Sequence, residues 1–237
     1  MEAAPNTGPD RPSYVLYVIF GRLLPFLVFC FFVAIQLKLF QGELGGVFST
    51  EPTLGRVGFL LNRVMSLGFA SGVALIYVTR RPPKHSLHDP ISVIVSMYAS
   101  FVLLALRPVA AWFGIATLGD QNPLLLNISN LLVVLGVALS LYALFYLKLN
   151  FSILPEARAA VTSGPYRLVR HPVYLGEIVS GLGLVIALPS VLTAVTWVTF
   201  VAAQLVRTRL EERVLSTFVH GYSDYAKRTK RLIPFLV

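Results

Sequence analysis

Long apolar runs separated by short polar segments dominate the chain. The runs with few or no charges cover positions 14–37, 57–79, 91–106 with an extension, 127–147, 173–188 and 191–206. A membrane-spanning helix needs about 20 residues, with a range of about 17 to 25, so these runs predict about six spans, of which the last two are short. Only Pro189 and Ser190 separate those two runs. We therefore predict a tight helical hairpin whose second helix continues into water.

The composition supports this interpretation. Hydrophobic residues form 56% of the chain and charged residues 13%, which excludes an ordinary water-soluble domain. We predict an all-α, polytopic transmembrane helix bundle that forms one domain, 1–237, with four N-terminal spans in 1–150 and a cofactor-binding and catalytic region in 151–237. A transporter or scaffold is less favoured, because the sequence has no internal repeat and its ionisable residues gather at one face of the predicted bundle.

The basic residues indicate an orientation in the membrane. With six spans, one side receives most of them: Arg80, Arg81, Lys84, Lys148, Arg158, Arg167, Arg170, Arg207, Arg209, Arg213, Lys227, Arg228, Lys230 and Arg231. Since cytoplasmic loops carry the excess of Lys and Arg, both termini are predicted to be cytoplasmic. Anionic lipid headgroups explain the net charge of +9, so we expect membrane lipids, no nucleic acid and no obligate protein partner.

Neither a disulfide nor a metal site is expected. Cys30 is the only cysteine of the chain, which rules out an intramolecular disulfide. His85, His88 and Asp89 lie in the proline-rich segment 80–90, where the prolines prevent a helix that would aim both imidazoles at one ion. We interpret this segment, including its arginines, as a solvated loop.

Two charged blocks lie in the last third of the chain. The stretch 164–177, Gly-Pro-Tyr-Arg-Leu-Val-Arg-His-Pro-Val-Tyr-Leu-Gly-Glu, places ionisable groups between apolar segments, where they are costly unless they face protein, ligand or water. Beyond the predicted hairpin, Arg207 and Glu211 are four residues apart and share one helix face. Because the hairpin returns to its starting side, we expect both blocks to form one polar pocket with an apolar floor. Such a pocket suits a lipid-like substrate and a water-soluble cofactor.

The order of these motifs resembles the isoprenylcysteine carboxyl methyltransferase and phospholipid methyltransferase superfamily. The matching pieces follow one another over 152–234, roughly the last third of the chain: Tyr166 after a Gly-Pro turn, Arg170-His171-Pro172-Val173-Tyr174-Leu175-Gly176, Arg207 with Glu211 and Glu212, Tyr222 and Tyr225, and Leu232-Ile233-Pro234. The four preceding predicted spans are similar to the family only in being hydrophobic.

The resemblance implies an integral membrane methyltransferase that uses S-adenosyl-L-methionine and acts on a lipophilic acceptor at the cytoplasmic face. The cofactor-binding residues that it implies are Ala159, Ala160, Val161, Thr162, Tyr166, His171, Pro172, Val173, Tyr174, Glu211 and Glu212. The catalytic residues that it implies are Arg170, Arg207 and Glu211. Arg207 would face the acceptor, whereas Arg170 would orient it or brace the loop.

The sequence leaves alternatives for the role of His171, for the acceptor and for the class of enzyme. A base role for His171 is possible, but a carboxylate or thiolate acceptor needs no base at neutral pH, so we favour a role in shaping the cofactor site. The acceptor is expected to be a prenylated cysteine carboxylate, with a thiol or a phospholipid amine as alternatives. Membrane sterol and steroid reductases, which use NADPH, resemble the His-x-x-Tyr-x-Gly-acidic part of the first block. The Arg-x-x-x-Glu-Glu helix is more similar to the methyltransferases.

Overall fold

The computed structural model describes residues 15, 18–47, 54–80, 85–86, 89–115 and 122–233. A π-helical turn, Ile19–Leu23, leads into α1. The helices are α1 (Leu24–Val47), α2 (Leu54–Thr79), α3 (Pro90–Trp112), α4 (Pro123–Leu147), α5 (Pro172–Ala187), α6 (Val191–Phe218) and α7 (Tyr222–Arg228). Two-residue strands, β1 (His85–Ser86) and β2 (Glu156–Ala157), form one antiparallel pair. The prediction of an all-α, polytopic helix bundle is confirmed.

Within the described residues, five segments are long and apolar enough to cross a membrane: Ile19–Lys38, Leu60–Thr79, Pro90–Arg107, Pro123–Asn150 and Val191–Phe218. The remaining predicted span is α5, whose 16 residues fall just short of the roughly 17 that a span needs. The chain is thus an integral, multi-pass membrane protein. The number of spans and the side on which each terminus lies remain predictions.

The predicted hairpin between α5 and α6 is present, and local hydrogen bonds explain its tightness. Ser190 Oγ accepts a hydrogen bond from Thr193 N at 3.1 Å, and Thr193 Oγ1 accepts one from Ser190 N at 3.3 Å. This capping box satisfies amide groups that would otherwise lack partners at the start of α6. The helix then continues to Phe218, well past its apolar part, as the sequence predicts.

The connection after the first span is largely helical, although it is rich in glycine. α1 continues to Val47, and α2 begins at Leu54. Each glycine disfavours a helix by only about 1 kcal/mol relative to alanine. At a membrane, the hydrogen bonds that a helical backbone makes within itself outweigh this cost.

Close packing of α5 against α4 fixes the position of the first charged block. A Cβ atom at Gly176 would lie 2.9 Å from Ser140 N, and one at Gly183 would lie 2.7 Å from Ser129 O. Ser140 Oγ donates to Val173 O at 3.1 Å. Small residues at such an interface allow the two backbones to approach and hydrogen bonds to form between helices. As a result, α5 is held rigidly on α4.

Candidate functional site

The site lies at the end of the bundle where the segment preceding α5, the last turns of α6 and the C-terminal segment meet. Arg170 N donates to Lys230 O at 2.8 Å, and His171 N donates to Arg231 O at 3.1 Å. Val169 and Lys230 form an isolated parallel bridge. These backbone bonds attach the C-terminal segment to the loop that carries the first charged block.

Glu212 joins the two charged blocks. Its carboxylate accepts hydrogen bonds from Arg170 Nε at 2.7 Å, His171 Nε2 at 3.2 Å and Arg231 Nη2 at 2.6 Å. The Arg170, His171 and Glu212 side chains are 11%, 6% and 14% exposed. The structure therefore brings together the two blocks that the sequence predicted to meet.

His171 lies between two carboxylates. Its Nδ1 is 3.5 Å from Glu211 Oε2, and its ring stacks on Tyr174 with centroids 5.4 Å apart. Burial lowers the pKa of His171, but hydrogen bonds to the Glu211 and Glu212 carboxylates outweigh this effect and raise the pKa above its ordinary value of 6.5. A raised pKa favours the protonated imidazole, which is a poor base. This geometry supports a role in shaping the site.

Arg207 lies beneath this layer and is only 1% exposed. It donates from Nη1 to Ser100 Oγ and from Nη2 to Ser152 O, both at 3.2 Å. Its Cζ lies 4.5 Å from the centroid of the Tyr174 ring, and the Tyr174 hydroxyl donates to Glu211. Tyr174 thus connects the arginine and the glutamate that the sequence placed on one helix face.

A pocket opens beside this layer. Its enclosed volume is about 90 Å³, and its empty space including the open mouth is about 700 Å³. The predicted site residues that line it are Ala159, Ala160, Val161, Tyr166, Arg170, His171, Val173, Tyr174 and Glu211. The lining residues that were not assigned from the sequence are Leu147, Asn150, Phe151, Ser152, Leu154, Glu156, Arg158 and Leu215. Tyr222 and Tyr225, which belong to the motifs noted in the sequence, complete the lining.

Four predicted site residues do not line the pocket. Thr162 is exposed beside it, and Pro172 is the buried first residue of α5, where its fixed φ favours the start of a helix. Arg207 packs against the Tyr174 ring, and Glu212 forms ion pairs with Arg170 and His171. These last two side chains support residues that do line the pocket.

Arg170 is engaged by the C-terminal segment. Besides Glu212, its guanidinium donates to Ala226 O at 2.6 Å and to Thr229 O. Of the two roles that the sequence left open, bracing the loop and orienting an acceptor, these contacts support bracing.

The structure corrects the interpretation of Arg80, which was placed in a solvated loop. Arg80 is 2% exposed, and its guanidinium donates to Ser152 Oγ at 3.1 Å and to Gly21 O. It also lies 3.5 Å from Glu156 Oε1 and 4.1 Å from the Tyr77 ring centroid. An arginine needs such partners to be buried, and here they come from the preceding turn of α2 and from two distant parts of the chain.

Glu156 extends this buried network into the pocket. It is fully enclosed and accepts a hydrogen bond from Arg158 Nε at 2.8 Å. One sequence signal was available, because Glu156 is the only acidic residue between Asp120 and Glu177. A lone carboxylate among apolar and basic residues predicts an ion pair, although it does not identify the partner.

The chemistry of the lining fits a cationic nucleoside. The hydroxyls of Tyr166 and Tyr222 are buried and have no hydrogen-bond partner among the residues that the structure describes. Burial also raises the pKa of Tyr166, which keeps it neutral. Tyr225 donates to Tyr166 O at 2.6 Å and holds α7 over the pocket. Polar groups of this kind suit ribose hydroxyls, whereas the Glu211 carboxylate and the aromatic faces suit a cation. Across the described ranges, no three metal-ligating side chains cluster.

Comparison with known proteins agrees with this geometry. A family model described as "Isoprenylcysteine carboxyl methyltransferase (ICMT) family" matches residues 128–217. Over these residues the chain is similar to the isoprenylcysteine carboxyl methyltransferase family. The matched range contains most of α4, the irregular segment that lines the pocket, all of α5 and almost all of α6. A membrane methyltransferase family is therefore supported.

The chain is also similar to the cobalt-zinc-cadmium resistance protein CzcN of Cupriavidus metallidurans. The two sequences are 33% identical over 116 residues, which are 48% of this chain and 51% of that protein. The chain thus matches about half the length of this curated relative.

Proposed function

We propose that the protein is an S-adenosyl-L-methionine-dependent methyltransferase that acts on a lipophilic acceptor at the cytoplasmic face of a membrane. The observation that carries this proposal is the pocket wall formed by Glu211, Tyr174 and His171, with the buried guanidinium of Arg207 packed against the Tyr174 ring. This wall would bind a cation, and the positive charge of Arg207 lies one layer behind it at the same end of the apolar helix bundle.

When bound, the cofactor would supply a methyl group that its sulfonium charge has already activated. The chain's own task is then to bind and orient the reactants. Glu211 would be held in place by the Tyr174 hydroxyl and by His171, and it would face the cation together with the Tyr166 ring. The segment Ala159, Ala160 and Val161 would provide the opposite wall.

Arg207 would orient the acceptor. Its guanidinium is already fixed by Ser100, Ser152 and the Tyr174 ring, so little side-chain freedom is lost when it binds a ligand. An acidic acceptor group would receive hydrogen bonds from a positive charge. A carboxylate is ionised at neutral pH and needs no base, in agreement with the raised pKa of His171. We therefore propose the carboxyl group of a prenylated cysteine as the acceptor, with a thiol or a phospholipid amine as alternatives.

Methyl transfer by the detergent-purified protein tests this function. Radiolabelled S-adenosyl-L-methionine would be incubated separately with N-acetyl-S-farnesyl-L-cysteine, a small apolar thiol and phosphatidylethanolamine. We expect label to enter the farnesylated cysteine. Label in the thiol or the lipid would assign the acceptor differently, and the absence of label from all three would contradict the proposed function.

A further inference from the structure

A groove lined by arginines lies on the outer side of α6. It runs between the last turns of α6, the helix α7 and the C-terminal segment, and its volume is about 360 Å³. Arg209 and Arg213 from α6 line it together with Arg231. Tyr222 is the one described residue that lines both this groove and the pocket beside Glu211. The groove is therefore a second cavity at the same end of the bundle.

The charge of the groove is positive and largely uncompensated. Glu212 is its one acidic lining residue, and the Glu212 carboxylate already accepts hydrogen bonds from the loop before α5 and from Arg231. Across the described ranges, the guanidinium groups of Arg209 and Arg213 form neither a hydrogen bond nor an ion pair. These two arginines are four residues apart on one helix face, where like charges repel each other. A bound anion would relieve this repulsion.

The same two arginines continue an apolar stripe on α6. Positions 191, 195, 198, 202, 206, 209 and 213 follow one another at intervals of three or four residues, which places them on one face of the helix. The valines of this stripe are all exposed: Val191, Val195, Val198 and Val206. Arg209 and Arg213 are exposed as well. An exposed apolar face on a membrane-spanning helix packs against acyl chains, and here that face ends at the groove.

The depth of the arginines matches that of lipid headgroups. At 1.5 Å per residue, Arg209 and Arg213 lie about 4.5 and 10.5 Å beyond Val206 along the helix axis. The headgroup layer on each side of a bilayer is roughly 5–8 Å thick. Side chains on a helix lean toward its N-terminus, which on α6 is the direction of the apolar stripe. Both guanidinium groups can therefore reach the phosphate level.

We propose that this groove binds the phosphate of one anionic phospholipid, whose acyl chains lie along the valine stripe of α6. Guanidinium groups donate paired hydrogen bonds that match phosphate oxygens. A general attraction of basic loops to an anionic membrane involves no particular residue, whereas this site requires Arg209 and Arg213. The inference does not depend on the reaction that the protein catalyses.

A zwitterionic lipid fits the groove less well than an anionic one. The quaternary ammonium group of phosphatidylcholine would need an acidic partner, but the Glu212 carboxylate is already engaged in ion pairs. A soluble phosphate compound would leave the valine stripe without a role. The two observations, free guanidinium groups and a continuous apolar stripe, together select a lipid with a net negative charge.

Native mass spectrometry of the full-length protein in detergent tests the proposal. The protein would be titrated with dioleoylphosphatidylglycerol and, separately, with dioleoylphosphatidylcholine, which has the same acyl chains. We expect the first phosphatidylglycerol to bind with a Kd about tenfold lower, because charge-assisted hydrogen bonds have about that effect. Equal Kd values would overturn the proposal. Glycerol 3-phosphate in large excess should not displace the bound lipid; displacement would assign the groove to a soluble anion and contradict the lipid site.

Arg209→Gln and Arg213→Gln should each raise the Kd for phosphatidylglycerol about tenfold and leave that for phosphatidylcholine unchanged. Arg228→Gln is the matched control, because Arg228 is exposed on α7, carries the same charge and does not line the groove. It should change the Kd by no more than about twofold. An equal loss of affinity in all three variants would show a diffuse attraction, and a dimer that binds no lipid would show that a second copy covers the stripe. Either result would contradict the proposal and leave the proposed function untouched.

Discussion

Replacing Glu212 by glutamine tests whether this residue holds the site together. The substitution preserves the shape of the side chain and removes its charge. Glu212 accepts hydrogen bonds from Arg170 Nε, His171 Nε2, and the Nε and Nη2 atoms of Arg231. All of these donors would lose a carboxylate partner at once, and the C-terminal segment would be held mainly by its backbone bonds to the loop.

The expected loss of stability follows from the burial of the Glu212 ion pairs. Removing one partner of a buried ion pair costs about 3–5 kcal/mol. Glu212 is 14% exposed and Arg231 is 25% exposed, so we expect the lower end, about 3 kcal/mol. In a chain of this size, each kcal/mol shifts the midpoint of thermal unfolding by about 2–4 °C, which gives a decrease of about 6–12 °C.

Thermal unfolding in detergent, followed by tryptophan fluorescence at a fixed scan rate, measures this decrease. Asp224→Asn provides the matched control. The Asp224 and Lys227 side chains of this ion pair are 70% and 75% exposed, and such surface pairs contribute little to stability. We expect the control to unfold within about 2 °C of the wild-type protein. If Glu212→Gln also unfolds within that interval, Glu212 does not hold the site together.

Three further predictions concern the framework of the site. Arg80→Leu removes one of the two arginine partners of the enclosed Glu156 carboxylate and should lower the unfolding midpoint by about 6 °C; an unchanged midpoint would contradict the buried pair. Gly176→Ala places a methyl group 2.9 Å from Ser140 N and should give little monodisperse protein by size-exclusion chromatography, whereas a normal yield would show that α5 can move away from α4. Because the folded pKa of His171 is raised, its stabilising contribution is complete below about pH 6.5 and is lost as the pH rises through the folded value. The unfolding midpoint should therefore fall between pH 6 and pH 9 in the wild-type protein and fall less in His171→Gln; parallel profiles would contradict a protonated His171.

The convergence of the two charged blocks could be predicted because it depends on local features. Pro189 and Ser190 restrict the turn, and two helices joined by so short a turn must return to the same side. Arg207 and Glu211 could likewise be assigned to one face from the helical period alone. Such predictions need only the length of a connection and the period of the helix.

The buried network of Arg80 and Glu156 could not be predicted in this way. The two residues are 76 positions apart, and no hydrophobic period relates the end of α2 to the irregular segment before α5. That segment has no regular pattern either, so Ser152 and Arg158 were not recognised as pocket residues. Their placement depends on tertiary packing, which single-sequence patterns do not contain.

The central claim is that the pocket beside Glu211 binds a sulfonium nucleoside. Isothermal titration calorimetry of the detergent-purified protein with S-adenosylhomocysteine, and separately with NADPH, tests it most directly. We expect the wild-type protein to bind S-adenosylhomocysteine and not NADPH, Glu211→Ala to lose this binding, and Arg207→Ala to retain it while losing turnover. Binding of NADPH without S-adenosylhomocysteine, or wild-type affinity in Glu211→Ala, would contradict the assignment of the site.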